Sequence, residues 1–245
     1  MATPSSGTKK RKADDSSNGK TKKFRTEFSA TITVIVRSGD LERTLTVHED
    51  LICSRSDFFK AACSATWANA AEKVVKLPHS NSRIFRLYLE WIYAKGNDLA
   101  GLVRSAVKEI EDRAVRDFIY QVLCWLWVLA DYLGDRGCKN EVIDTLIRDY
   151  NCNSVGVSTR IMAVVEREAQ GSDLERVMID MAFPVIMRRD STEFVDKCPP
   201  AWVAQWFKKL LPGKNAVDRQ EAVNISEACK YHEHAEGEDR CSETA

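Results

Sequence analysis

The chain has 245 residues, 44 % of them hydrophobic and 29 % charged, with a formal net charge of zero. A chain of this length buries about 70 % of the surface its unfolded form exposes, so it needs no disulfide or metal staple, and its composition is that of an ordinary globular protein. The charge is uneven: residues 1–28 hold eight basic and three acidic side chains, residues 216–245 three basic and eight acidic. The ends are therefore oppositely charged and the middle carries the folded mass.

The eight cysteines, at 53, 63, 124, 138, 152, 198, 229 and 241, are widely spaced and contain no C-x-x-C pair. The opening MATPSSGTKKRKADD has no apolar stretch of a secretory leader. Free thiols in a reducing compartment are the expected state. The longest apolar run, Val122–Ala130, is less than half of the roughly 20 residues that a membrane-spanning helix requires, so no membrane partner is expected.

Residues 1–28 are rich in Ser, Thr, Lys and Asp and have almost nothing to bury, which reads as a disordered tail. ATITVIVRSG and LERTLTVHED then alternate as two β-branched strands around a Gly-Asp turn, a hairpin pattern. EDLICSRSDFFKAAC predicts one or two short helices, with Ser56-Asp57 as the cap of the second. KVVKLP reads as a short strand ended by Pro78. SNSRIFRLYLEWIYAKG follows with apolar residues at helical spacing and Gly96 as its stop. Helical periodicity continues through Asp98–Phe118. From Val122 to Leu133 the pattern is apolar nearly all round, the mark of a central core helix. Gly134 fits its cap, and Val142, Ile143, Leu146, Ile147 and Tyr150 form the stripe of an antiparallel partner. Thr159–Ala169, Asp173–Met187 and Pro200–Leu211 read as three further helices, and beyond Gly213 the acidic composition reads as a flexible tail. Trp91, Trp125 and Trp127 fall on apolar faces. Trp202 and Trp206 share one helical face and read chiefly as core, with a docked partner helix as the alternative.

The residues that carry chemistry are few. Lys9, Lys10, Arg11 and Lys12 are separated by seven residues from a second basic cluster, Lys20, Lys22, Lys23 and Arg25. That is the spacing of a bipartite nuclear import signal, which would give the chain an import receptor as partner and the nucleus as location. The same tail would bind nucleic acid only weakly and without reading sequence. Asp131 lies in the central helix, where burial would raise its pKa as a general base requires, but no His or Lys lies beside it in sequence, and it reads as structural. His48 reads as a partly buried hydrogen-bonding histidine. His232 and His234 form an H-x-H pair with Cys229 close by, but sequence fixes no third ligand, so neither a metal nor a cofactor is assigned. With no G-x-S-x-G, P-loop, dinucleotide fingerprint or H-E-x-x-H, the expectation is a binding module and not an enzyme.

Three segments, in order and at matching spacing, resemble the BTB/POZ family over roughly residues 30–150. TVHEDLICSRSDFFKAAC looks like the family's His, short helix and Ser-x-x-Phe-Phe helix. KVVKLPHSNSRIFRLYLEWIYAKG resembles its strand, Leu-Pro, helix and Trp-Ile-Tyr ending. LWVLADYLGD followed by KNEVIDTLI is similar to its last helical hairpin, in a form often seen in fungal BTB proteins. Gly96–Gln121 is longer than the family's usual connection. The resemblance implies an α+β fold, with a small sheet of short strands packed against a cluster of helices, and here a mostly helical extension. The expected divisions are a tail over 1–28, a BTB/POZ domain over 29–150, a helical extension over 157–212 and a flexible acidic tail over 213–245.

The resemblance further implies a protein-binding scaffold, a homodimer in which Ile32, Val34, Val36, Leu51, Ile52, Phe58 and Phe59 contribute the self-association surface. With nuclear import, this points to transcriptional or chromatin regulation. The alternative is a substrate adaptor of a cullin-type ubiquitin ligase. The family's cullin-contact position falls at Phe85-Arg86-Leu87, where leucine replaces the usual carboxylate.

Overall fold

The structure, a computed structural model, describes residues 30–38, 41–64, 73–78, 80–107, 114–153, 157–187, 192–210, 225–238 and 241. The basic clusters, Lys9 to Lys12 and Lys20 to Arg25, lie outside them.

Strand β1 (Thr31–Ser38) is the centre of a three-stranded mixed sheet of order β2-β1-β3. It pairs antiparallel with β2 (Leu41–His48) along its whole length, from Thr31↔His48 to Ser38↔Leu41, as the hairpin pattern predicts. Strand β3 (Val74–Leu77) lies parallel on its other side. Ile32, Val34 and Val36 point inward at period two and are buried, whereas Thr31 and Arg37 face out.

Helices α1 (Glu49–Arg55) and α2 (Asp57–Ala62) follow, separated at Ser56, whose side chain accepts the Phe59 N–H and caps α2. Helix α3 (Ser82–Tyr93), capped by Asn81, buries Ile84, Phe85, Leu87, Tyr88, Leu89, Trp91 and Ile92 and so has apolar contacts on nearly every side. Its end differs in detail from the expectation that Gly96 is the stop. Gly96 N–H bonds the Trp91 carbonyl and Lys95 N–H that of Ile92, so the first left-handed position falls on Lys95 (φ 59°).

The helical period read through Asp98–Phe118 resolves into α4 (Leu99–Val107) and the start of α5 (Ala114–Leu133), with 108–113 outside the described residues. Helix α5 and α6 (Arg136–Asn153) form the expected antiparallel hairpin. Gly134 (φ 67°) closes α5: its N–H bonds the Asp131 carbonyl and Asp135 N–H that of Ala130, the paired bonds of a Schellman end.

The extension is helical. Helix α7 (Thr159–Glu168) packs on α5, and α8 (Asp173–Met187) on α6 and α7. A short α9 (Thr192–Val195) precedes α10 (Pro200–Leu210). Ser172 caps α8 by accepting the Glu175 N–H, and Glu175 reaches back to the Gly171 N–H at 2.7 Å while accepting Trp202 Nε1–H at 2.8 Å. Trp202 and Trp206 are buried edge to face and belong to the core. The fold is α+β, a small sheet with a largely helical remainder, and one apolar cluster runs from Ile32 in β1 to Tyr231.

One stretch departs from the reading of the C-terminus as a flexible tail. Ile225–Tyr231 forms a 3-10 helix that packs on α6 and α8, with Ala228 and Tyr231 buried. Acidic composition concealed this docking, because its buried anchors among the described residues are only two, Ala228 and Tyr231, joined by single polar pairs such as Tyr231 with Asp180, and form no apolar stripe.

Candidate functional site

The residues expected at a self-association surface divide sharply. Ile32, Val34, Val36, Ile52 and Phe59 are buried within the chain itself, while Leu51 and Phe58 are half-buried and reach the surface. Phe58 stacks tilted against Tyr132 at 5.2 Å between ring centroids, and Tyr132 is 53 % exposed. Tyr132 continues into a stripe on α5 with Trp125, Val128 and Leu129, at the i, i+3, i+4 and i+7 spacing of one helix face. With Ile84 and Pro78 these residues line a groove of about 180 Å³. Phe58 thus joins an aromatic, largely apolar face that sequence periodicity had assigned wholly to the core.

The cullin-contact position is placed differently. Phe85 and Leu87 face the core, and Arg86 alone is exposed, paired with Glu90 at 3.1 Å along the helix. His48 lies beside Tyr93, its Nδ1 2.7 Å from the phenol oxygen, in keeping with a hydrogen-bonding structural histidine.

Asp131 is exposed, not buried, and its carboxylate pairs with Lys139 at 2.8 Å. Lys139 is itself buried and also bonds Glu233 at 2.5 Å, with its ammonium over the Trp127 ring at 5.3 Å. The buried acid of this hairpin is Asp135. It accepts from Tyr88 Oη at 3.0 Å, from the Cys138 N–H at 2.9 Å as the cap of α6, and from the Arg55 guanidinium at 3.3 and 3.4 Å. Arg55 in turn covers the Trp91 ring at 4.5 Å. Beside it, the Ser56 hydroxyl donates to the Leu133 carbonyl at 2.6 Å. These contacts weld α1 and α3 to the hairpin, and every strong acceptor site is already used, so the group is architectural.

The H-x-H pair sits in a more organised setting. Asn140 on α6 forms two reciprocal bonds with the Glu233 backbone, at 2.9 and 3.0 Å, and Tyr231 Oη donates to Asp180 at 2.6 Å. Between these anchors, His232 Nε2 lies 2.9 Å from Asp144 of α6, and its Nδ1 lies 3.2 Å from Cys241 Sγ. His234 Nε2 lies 3.4 Å from Cys229 Sγ and 4.0 Å from Cys241 Sγ. Ligand atoms of Cys229, His234 and Cys241 all fall within 4.8 Å of one another. His232, His234 and Cys229 stand close in sequence, whereas Cys241 is brought in by a turn and Asp144 by the docking on α6.

No protein-family model matches the chain, and no curated protein matches it. The BTB/POZ likeness therefore rests on the residues quoted above.

Proposed function

We propose that the chain is a protein–protein interaction module of BTB/POZ type that pairs with a second copy of itself and acts as a nuclear scaffold in transcriptional or chromatin regulation. The observation that carries this reading is the Phe58–Tyr132 face. A half-exposed tyrosine, a half-buried phenylalanine and a tryptophan-lined groove form one aromatic patch, the composition enriched at protein interfaces and costly to leave in water. Phe58 belongs to the segment the family resemblance assigns to self-association, so the two lines converge on one residue. Pairing would make the scaffold bivalent, raising its avidity for any repeated partner. The basic clusters of residues 1–28 supply import to the nucleus and a weak, salt-sensitive attraction to nucleic acid.

Multi-angle light scattering tests the pairing. The wild-type chain is expected to run as a dimer at tens of micromolar, and Tyr132→Glu to weaken it at least about tenfold, about 1.4 kcal/mol, with the melting temperature held. A wild-type monomer at that concentration would remove self-association. A reporter fused to residues 1–28 that stays in the cytoplasm would remove the import signal. The adaptor reading receives no support from Phe85 and Leu87, which are turned inward. Recovery of a cullin with the purified protein would reverse that ranking.

A further inference from the structure

The described C-terminal residues gather four soft donors. Cys229, His232, His234 and Cys241 follow a C-x2-H-x-H-x6-C pattern, two thiols and two imidazoles within thirteen residues. We propose that Cys229, His234 and Cys241, whose ligand atoms already converge, form a tetrahedral Zn²⁺ site, with His232 turning in from its contact with Cys241 as the fourth ligand, and that this site clamps the chain's acidic end onto α6.

The geometry is the first argument. A tetrahedral zinc with bonds of about 2.3 Å to sulfur and about 2.0 Å to nitrogen holds sulfur and nitrogen ligands roughly 3.6 Å apart. The three sulfur–nitrogen separations here, 3.2, 3.4 and 4.0 Å, bracket that value. Hydrogen bonding alone is a poor account of so many short contacts between thiols and imidazoles, because an S–H is a weak donor and sulfur a weak acceptor.

The second argument is the shell behind the ligands. His232 Nε2 faces the Asp144 carboxylate at 2.9 Å, which accepts its N–H and leaves the Nδ1 lone pair turned toward Cys241. A carboxylate behind a histidine is the arrangement that fixes tautomer and ring direction for metal binding. The segment between is held as well: Asn140 pins the Glu233 backbone between the two histidines, and Glu238 accepts the Ala235 N–H at 2.7 Å. A nucleophile–base dyad would need one thiol and one imidazole. Here two thiols and the His234 imidazole converge, and a second imidazole, His232, stands against Cys241 at their edge; two thiols with two imidazoles are the donor set of a closed structural site.

The test uses the full chain, purified under reducing conditions with its affinity tag removed. Elemental analysis is expected to find close to one zinc per chain. Replacement by Co²⁺ is expected to give the intense visible bands of a tetrahedral ion and the near-ultraviolet band of thiolate-to-cobalt charge transfer. Cys229→Ser with Cys241→Ser should abolish both, and Asp144→Asn should weaken zinc retention against a chromogenic chelator by about 10- to 100-fold. Because the wild-type cobalt spectrum needs no variant to fold, it decides alone. Zinc below a tenth of an equivalent after reconstitution, a cobalt spectrum without the thiolate band, or a Cys229–Cys241 disulfide in the reduced protein would each overturn the site.

Discussion

Among single residues, Asp135 illustrates what a sequence hides. ADYLGD offers two acids four residues apart, and pattern alone points to Asp131 because it falls inside the apolar run. The structure turns Asp131 outward to Lys139 and Asp135 inward to Tyr88, Arg55 and the start of α6. The deciding event is the Schellman turn at Gly134, which redirects the chain and cannot be read from periodicity. Asp135→Ala removes a helix cap and leaves a buried phenol and a part-buried guanidinium without their acceptor. We expect a loss of about 3 kcal/mol in urea-melt stability, and a smaller loss for Asp135→Asn, which keeps the cap. Gly134→Ala is expected to cost about 1–2 kcal/mol in the same measurement. The φ of 67° penalises a side chain, and a Cβ there would stand 3.2 Å from that of Asp57.

At the level of elements, most of the framework was legible, because helices with strong apolar stripes and explicit caps announce themselves. Ser56 and Gly134 cap where the sequence places them. The elements that escaped are too short to carry a periodic stripe: α9, and the 3-10 helix Ile225–Tyr231. The latter and the residues that follow it are recognisable only from distant partners: Asp180 bonds Tyr231 of the helix, and Asp144 and Asn140 hold His232 and Glu233 just beyond it. Nor does an apolar stripe state whether it is covered, and so the Trp125–Tyr132 face passed for core. Asn140→Ala is expected to speed amide hydrogen exchange across His232–His234 by at least about tenfold, a loss of about 1.4 kcal/mol of local protection. Exchange in α3 should be unchanged, which distinguishes release of this segment from general destabilisation.

For the molecule as a whole, the continuous cluster from β1 to the C-terminal 3-10 helix means that the sheet, the hairpin and the extension share one interior. Calorimetry should therefore give a single cooperative transition. Reactivity of the thiols should be graded by the same interior. Burial pushes the Cys124 and Cys138 thiols well above their ordinary range, and Cys53 up to about 12, whereas Cys152 is exposed. Ellman's reagent is accordingly expected to label Cys152 early and to reach Cys124 and Cys138 only on unfolding.

Ser56 has a consequence for regulation. Its hydroxyl donates to Leu133 and accepts from Phe59, and the side chain is 1 % exposed. A kinase approaching the SRSDFF segment would find that serine sealed, with Ser54, two residues earlier, as the exposed hydroxyl. Phosphate on Ser56 would require α2 to part from the end of α5, and the Phe58–Tyr132 face spans that same seam. Modification there would report that the face had already come apart.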